Sequence, residues 1–182
     1  MKAHILSHFI THEGMTAPSF PYLCLTVSGG HTQLVVVHDA LHMEIIGKTI
    51  DDAAGEAFDK AAKMLGLPYP GGPLIDHYGK TGNPMAFTFA EPNIPELNFS
   101  FSGLKTSILY FLKKEVAKNP DFVAVNLTDL CASIQHSITE ILLKKLKKAM
   151  QETGIKEVCI AGGVSANSGL RKAMEQLGKD TH

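Results

Sequence analysis

The chain has 182 residues, 17 basic and 18 acidic, for a formal net charge of -1. That length buries roughly 70% of the unfolded surface around one core, so stability demands neither a metal nor a disulfide. The balanced charge excludes a protein held to nucleic acid by overall positive potential and leaves only local contacts for such a partner.

His4, His8 and His12 open the chain four residues apart and would share one helix face. Two imidazoles at that spacing can hold a divalent metal, but Glu13 is the one acidic residue nearby, and a polar surface stripe is the plainer reading. Residues 22–28, 31–38 and 43–49 are short β-branched or apolar runs separated by SGG and DALH, which predicts a three-stranded antiparallel meander. Asp51 or Asp52 then caps a helix whose Ala53, Ala57, Phe58, Ala61, Met64 and Leu65 make one apolar face, closed by Gly66 and Pro68. From Leu67 to Asn98 the chain is rich in Pro, Gly and Asn, which predicts an irregular insertion lining something. Ser102 caps a helix running to about Lys118, stopped by Asn119 and Pro120. A longer helix near 128–153 turns Leu130, Ile134, Ile138, Ile141, Leu142 and Leu146 inward and ends at Gly154. The strand EVCIAGG and a helix near 166–177 complete an alternation typical of an α/β layer. Cys24, Cys131 and Cys159 lie in apolar or helical runs without a CxxC pair, which reads as buried thiols of a reducing compartment, the cytoplasm. No run reaches the roughly 18 unbroken apolar residues of a membrane helix, and a soluble chain without membrane contact is the expectation.

Three glycine pairs, Gly29-Gly30, Gly71-Gly72 and Gly162-Gly163, each sit at a turn, and the first and last directly follow an apolar strand. Such turns can present backbone N–H groups to phosphate oxygens, which makes nucleotide binding the functional reading of the three together; any one pair alone reads as an ordinary turn. In DDAAGEAFDKAAK, the residues Asp52, Glu56, Asp59 and Lys63 form a polar stripe. By spacing it is a solvated face with Glu56–Lys60 and Asp59–Lys63 pairs; its alternative use is a carboxylate accepting ribose hydroxyls. Lys144, Lys145, Lys147 and Lys148 could touch phosphates, but read first as a solvated helix end favoured by the dipole.

The segments VSGGHTQL, GKTIDDAAGEAFDKAAKMLGLPYPGGP, FSFSGLKT and AGGVSAN, in this order and spacing, resemble the universal tRNA threonylcarbamoyltransferase family, formerly labelled glycoprotease. The resemblance implies the actin, Hsp70 and sugar-kinase architecture, in which two RNase H-like lobes clasp a nucleotide. Here it implies an incomplete α/β RNase H-like lobe: residues 1–20 a remnant of the first lobe, residues 21–182 the second lobe, with an inserted segment at about 67–120 and without the last strand and helix. The activity implied for the full-length parent is transfer of threonylcarbamoyl from threonylcarbamoyl-AMP to the exocyclic amine of the adenosine beside the anticodon, in tRNAs reading codons that begin with A. The resemblance sets the substrate's phosphate and acyl end against Thr26, Val27, Ser28, Gly29 and Gly30. It makes Asp59 the ribose contact in place of an ion pair, Gly72 a nucleotide-approach position, Asp76 a second hydroxyl acceptor and Asn167 the adenine or ribose contact.

Family members hold one iron or zinc ion with an HxxxH pair and an aspartate from a TDNG-like segment, a two-histidine, one-carboxylate arrangement. In this alignment His4 is the second histidine, the first would precede Met1, and the carboxylate segment would follow His182, so retention of the metal by this chain is not expected. Pairing His4 with His8 restores HxxxH but breaks the spacing to VSGGHT. No general base is singled out; His31 is a candidate for that role or for bracing the loop. The implied partners are tRNA, a smaller paralogous subunit and a P-loop ATPase. An edge at 158–161 lacking its neighbour predicts self-association, readable by light scattering over a concentration series. The competing readings are a non-catalytic nucleotide- or partner-binding fragment and, last, a metallopeptidase, for which HExxH is absent.

Overall fold

The computed structural model describes residues 2–10 and 17–181. Four strands, β1 (Tyr22–Val27), β2 (Thr32–Val37), β3 (Met43–Lys48) and β4 (Val158–Ala161), form one sheet in the order β3-β2-β1-β4. The predicted meander is present, with β1 antiparallel to β2 from Tyr22 opposite Val37 to Val27 opposite Thr32. The β2–β3 pairing shifts register between Leu34 and Val35. β4 returns parallel to β1, Leu23 beside Val158 and Thr26 beside Ala161.

β1 is buried along its whole length because both faces of the sheet are covered there. Leu23, Leu25 and Val27 join the main core with α2 (Ala54–Met64) and α6 (Leu127–Thr153). Tyr22 and Cys24 face the other way, against Ile5 of α1 (Lys2–Leu6) and Phe9. α6 buries Leu130, Ile134, Ile138, Ile141, Leu142 and Leu146, each worth roughly 1.5–3 kcal/mol of burial. It ends where Gly154 takes φ +73°, as its sequence position predicts.

Several local expectations are corrected by tertiary contacts. The segment expected to be irregular contains a helix, α3 (Gly71–Gly79). Its Gly-Gly-Pro start reads as a turn, yet proline is tolerated in a first helical turn because its missing N–H has no intrahelical partner there. Neither Asp51 nor Asp52 caps α2: Ala53 is the N-cap, and the Ala54 N–H donates to Thr32 Oγ1 of β2 at 2.8 Å. Nor is Ser102 the cap of α4 (Ser102–Lys118), which the short α5 (Phe122–Val125) follows. Asp51 Oδ1 accepts the Phe101 N–H at 2.8 Å, and its Oδ2 accepts the hydroxyls of Ser100 and Ser102. A carboxylate 50 residues upstream thus anchors the start of α4. Asp52 instead pairs with Lys60 at 2.8 Å and lies 3.7 Å from Lys105.

Burial pushes the Asp51 carboxyl up, but the hydrogen bonds from Ser100, Phe101 and Ser102 together outweigh it and hold it below the ordinary carboxylate value. A depressed folded pKa adds stability that is complete above the unfolded carboxylate value of about 3.9 and is lost as pH falls through the folded one. Asp51→Ala is therefore expected to cost about 1 kcal/mol at neutral pH, a typical loss for a side-chain anchor at a helix start. Urea midpoints of the two proteins should converge as pH is lowered through the carboxylate range; a gap unchanged in acid would refute this role.

The lysine run on α6 is largely committed rather than free. Lys144 pairs with Glu91, Lys148 lies 3.6 Å from Glu152, and Lys145 Nζ donates to the Ile94 and Glu96 carbonyls at 2.6 and 2.8 Å. The run ties down the loop before β-bridged Phe99. The predicted histidine stripe does not share one continuous α-helix. α1 stops at Leu6, His8 falls in a 3-10 turn (Ser7–Phe9), and His12 and Glu13 lie outside the described residues. Cys24 and Cys131 are buried as expected, whereas Cys159 is half-buried. Burial pushes the first two thiols up to about 12 and Cys159 to about 11. Among the described residues no helix is long and apolar enough to cross a membrane.

Candidate functional site

The carboxyl ends of the parallel strands β1 and β4 open side by side, the place where α/β sheets leave a crevice for ligands. The Ser28–His31 turn closes one side, held by the Ser28 N–H on the His31 carbonyl at 2.8 Å and the His31 N–H on Ser28 Oγ at 3.0 Å. The 3-10 turn Gly163–Ala166 and the start of α7 (Ser168–Thr181) close the other, with α2 and α3 beyond. Between them lies a cavity of about 270 Å³. Of the nine candidate substrate residues, Gly29, Asp59, Gly72, Asp76 and Asn167 line it. Thr26 and Val27 are buried side chains of β1 behind it, and Ser28 and Gly30 belong to the turn without lining the cavity.

The glycines of this site divide by what a side chain would meet. A Cβ on Gly55 would stand 2.7 Å from the Ser28 carbonyl oxygen and 2.8 Å from Gly29 N, so α2 can press its first turn onto the loop only with glycine there. Gly71 would meet the Ala62 methyl at 2.3 Å. Gly162 has φ +93° and would meet the Val27 carbonyl oxygen at 2.4 Å. Gly29, Gly30 and Gly163 face open space. The N–H groups of Gly29 and Gly30 make no hydrogen bond among the described residues. Two free N–H groups beside a cavity are suited to anionic oxygens.

Each cavity carboxylate ties down a helix with one oxygen. Asp59 Oδ1 accepts the Gly71 and Gly72 N–H groups at 2.8 and 3.2 Å, while its Oδ2 makes no hydrogen bond and no Asp59–Lys63 ion pair forms among the described residues. The expected Glu56–Lys60 pair does form, at 2.7 Å. Asp76 Oδ1 accepts the N–H and hydroxyl of Ser168 at 3.1 and 2.6 Å, and its Oδ2 is likewise uncommitted among the described residues. Asn167 Oδ1 accepts the Leu170 N–H at 2.9 Å, the bond of a helix N-cap. The wall thus offers two spare carboxylate oxygens, suited to a pair of hydroxyls, and free N–H donors, suited to phosphate.

The family model of tRNA N6-adenosine threonylcarbamoyltransferase (TsaD) matches residues 1–182. The chain belongs to that family. It is 63% identical over 176 residues to the protein of that name from Cytophaga hutchinsonii, covering 97% of this chain and 50% of that protein. It is 61% identical over 175 residues to the one from Christiangramia forsetii, covering 96% of this chain and 52% of that protein. The chain spans about half the length of the curated relatives it matches. Among solved structures, component A of (R)-2-hydroxyglutaryl-CoA dehydratase from Acidaminococcus fermentans superposes with a TM-score of 0.51 at 18% identity, over 86% of this chain and 52% of that one. The fold is accordingly an incomplete actin, Hsp70 and sugar-kinase type.

His4, the metal ligand expected from the resemblance, is an exposed side chain on α1, whose Ile5 packs on the sheet face opposite the main core. Among the described residues no group of three or more His, Cys, Asp or Glu side chains comes together to hold an ion. The described residues do not by themselves fit a bound metal. His8 is partly buried with its Nε2 unpartnered, and burial lowers its pKa against the raising effect of the Ile160 carbonyl. Sequence reasoning missed Gly55 and Gln135. Glycine in the second position of a helix was a legible signal for the first; nothing local marks the second, which reaches the site only through Asn167.

Proposed function

We propose that this chain forms the nucleotide-holding wall of a tRNA N6-adenosine threonylcarbamoyltransferase. The reaction proposed for the whole protein consumes threonylcarbamoyl-AMP. The exocyclic amine of the adenosine beside the anticodon attacks the carbamoyl carbon, and the bond from that carbon to the phosphate oxygen breaks. AMP leaves, and the amine gives up a proton. The observation that carries this reading is the cavity itself, lined both by Gly29, whose N–H is unpaired among the described residues, and by Asp59 and Asp76.

In this reading the Gly29 and Gly30 N–H groups receive phosphate oxygens and stabilise the charge that grows on the departing AMP. Thr26 and Val27 hold the strand end from which that turn projects, and Ser28 closes it. The spare oxygens of Asp59 and Asp76 accept the ribose hydroxyls, Gly72 lets the nucleotide approach the backbone, and Asn167 faces the base. Positioning then does most of the work, because the attacking and leaving groups need little more than alignment. His4 is proposed as one ligand of an iron or zinc ion in the full-length parent. tRNA, a smaller paralogous subunit, a P-loop ATPase and a second copy at the β4 edge are the proposed partners, and the cytoplasm the proposed compartment.

The test is titration of threonylcarbamoyl-AMP into the full-length protein and its Gly29→Ala variant. Because a Cβ at Gly29 meets nothing within 4 Å, the unfolding midpoint should stay within about 0.5 kcal/mol of the parent. Alanine keeps the N–H, but its methyl fills the open space the phosphate would enter, so affinity for the adenylate should fall about tenfold, the effect of losing roughly one good contact. Full affinity in the variant would remove the phosphate from this turn.

A further inference from the structure

Asn167 is 8% exposed, and its amide is held from two sides. Its Oδ1 accepts the Leu170 N–H at 2.9 Å, and its Nδ2 donates to Gln135 Oε1 at 2.7 Å, across 32 residues from the middle of α6. Because a backbone N–H can only donate, the oxygen must face Leu170 and the nitrogen must face Gln135. An amide has two N–H donors and two lone pairs, so this leaves one N–H and one lone pair uncommitted on a residue that lines the cavity. One donor beside one acceptor on an Asn amide is the pattern that pairs with the amino group and ring nitrogen of adenine.

A second observation concerns the space Gln135 needs. A Cβ on Gly169 would lie 2.4 Å from Gln135 Nε2 and 2.8 Å from its Cδ. Gly169 has no left-handed φ that would demand glycine, and it sits inside the first turn of α7, where alanine is the better helix former. The absence of a side chain there makes room for the Gln135 amide. Gln135 itself is 9% exposed, and its side chain makes no hydrogen bond among the described residues other than the one to Asn167.

We propose that Gln135 is a positioning residue for base selection: accepting from Asn167, in the space left by Gly169, it fixes the amide so that the cavity favours adenine over hypoxanthine. This rests on the nucleotide reading above and assigns that reading a base-specific device. Hypoxanthine carries an acceptor where adenine carries its amino group, so its oxygen meets the amide oxygen of Asn167 acceptor to acceptor and that hydrogen bond is lost.

The experiment titrates AMP and IMP into the full-length protein and into Gln135→Met, Gln135→Glu, Gly169→Ala and the Gln135→Met/Gly169→Ala double variant. Gln135→Met, which removes the acceptor, and Gly169→Ala, which displaces it, should each weaken AMP about tenfold while changing IMP by less than about twofold, the size expected for one hydrogen bond to a restrained amide. Gln135→Glu keeps an acceptor and should stay within about threefold of the parent on AMP. The double variant should be no weaker than either single one, because both act on the same bond. Equal weakening of AMP and IMP would reduce Gln135 to a stability role and overturn the inference, as would AMP affinity retained in Gln135→Met. Failure of the unaltered protein to bind AMP would refute the nucleotide reading and this inference together. Thermal unfolding of Gly169→Ala at or above the parent's temperature separates lost selection from lost folding.

Discussion

Gly162→Ala should lower the unfolding free energy by about 3 kcal/mol or more, and its neighbour Gly163→Ala by almost nothing. At φ +93° and ψ 172°, Gly162 occupies a region open essentially to glycine alone, which costs other residues of order 1–3 kcal/mol. The new methyl would also stand 2.4 Å from the Val27 carbonyl oxygen and 2.9 Å from its carbon, and overpacking of this kind adds typically 1–3 kcal/mol. The clash falls where β4 leaves the sheet beside β1, so relieving it separates Ala161 from Thr26 and widens the cavity mouth. Gly163 faces open space and lacks that φ. Urea denaturation of the two variants decides the matter; similar midpoints would show that the strand ends are not held together in this way. Gly55 is expected to behave like Gly162, since its Cβ would meet Ser28 and Gly29 backbone atoms that cannot move without opening the turn.

Asp59→Ala should affect folding and binding separately. The carboxylate caps α3 through Gly71 and Gly72, and removal of such an acceptor costs typically about 1 kcal/mol. Its second oxygen is the proposed acceptor of a ribose hydroxyl, and loss of a charged hydrogen bond of about 1.5–3 kcal/mol corresponds to roughly 10- to 100-fold weaker adenylate binding. Asp59→Asn discriminates the two roles. Its carbonyl oxygen can still accept from Gly71 and Gly72, while the amide nitrogen that replaces Oδ2 cannot accept a hydroxyl proton. The asparagine variant should therefore unfold close to the parent yet bind AMP nearly as poorly as the alanine variant. Parental AMP affinity in Asp59→Asn would leave the carboxylate a purely structural cap.

Residues close together in the chain were legible without coordinates. The runs YLCLTV and TQLVVV around SGG, the inward stripe of α6 and its Gly154 stop follow from side-chain period and backbone preference, which act over a few residues. The same is true of the motif order that marks the family. What lay beyond reach were pairings across long separations. Asp51 with Phe101 spans 50 residues, Asp76 with Ser168 spans 92, and Lys145 with Ile94 spans 51. In each, the local pattern names a group that needs a partner but not which partner. An aspartate before a helix looks like that helix's cap, as Asp51 did before α2, until a distant N–H and two hydroxyls compete for it. A lysine run looks solvated until carbonyls arrive above it. The glycine pairs show the same division within two adjacent residues: Gly162 is required by φ and by Val27, whereas Gly163 is left open toward a cavity. Periodicity and composition suffice for elements and their buried faces because those depend on neighbours in the chain. Which oxygen meets which N–H, and which glycine fronts free space, depends on elements brought together from distant parts of the chain, and only packing in three dimensions settles it.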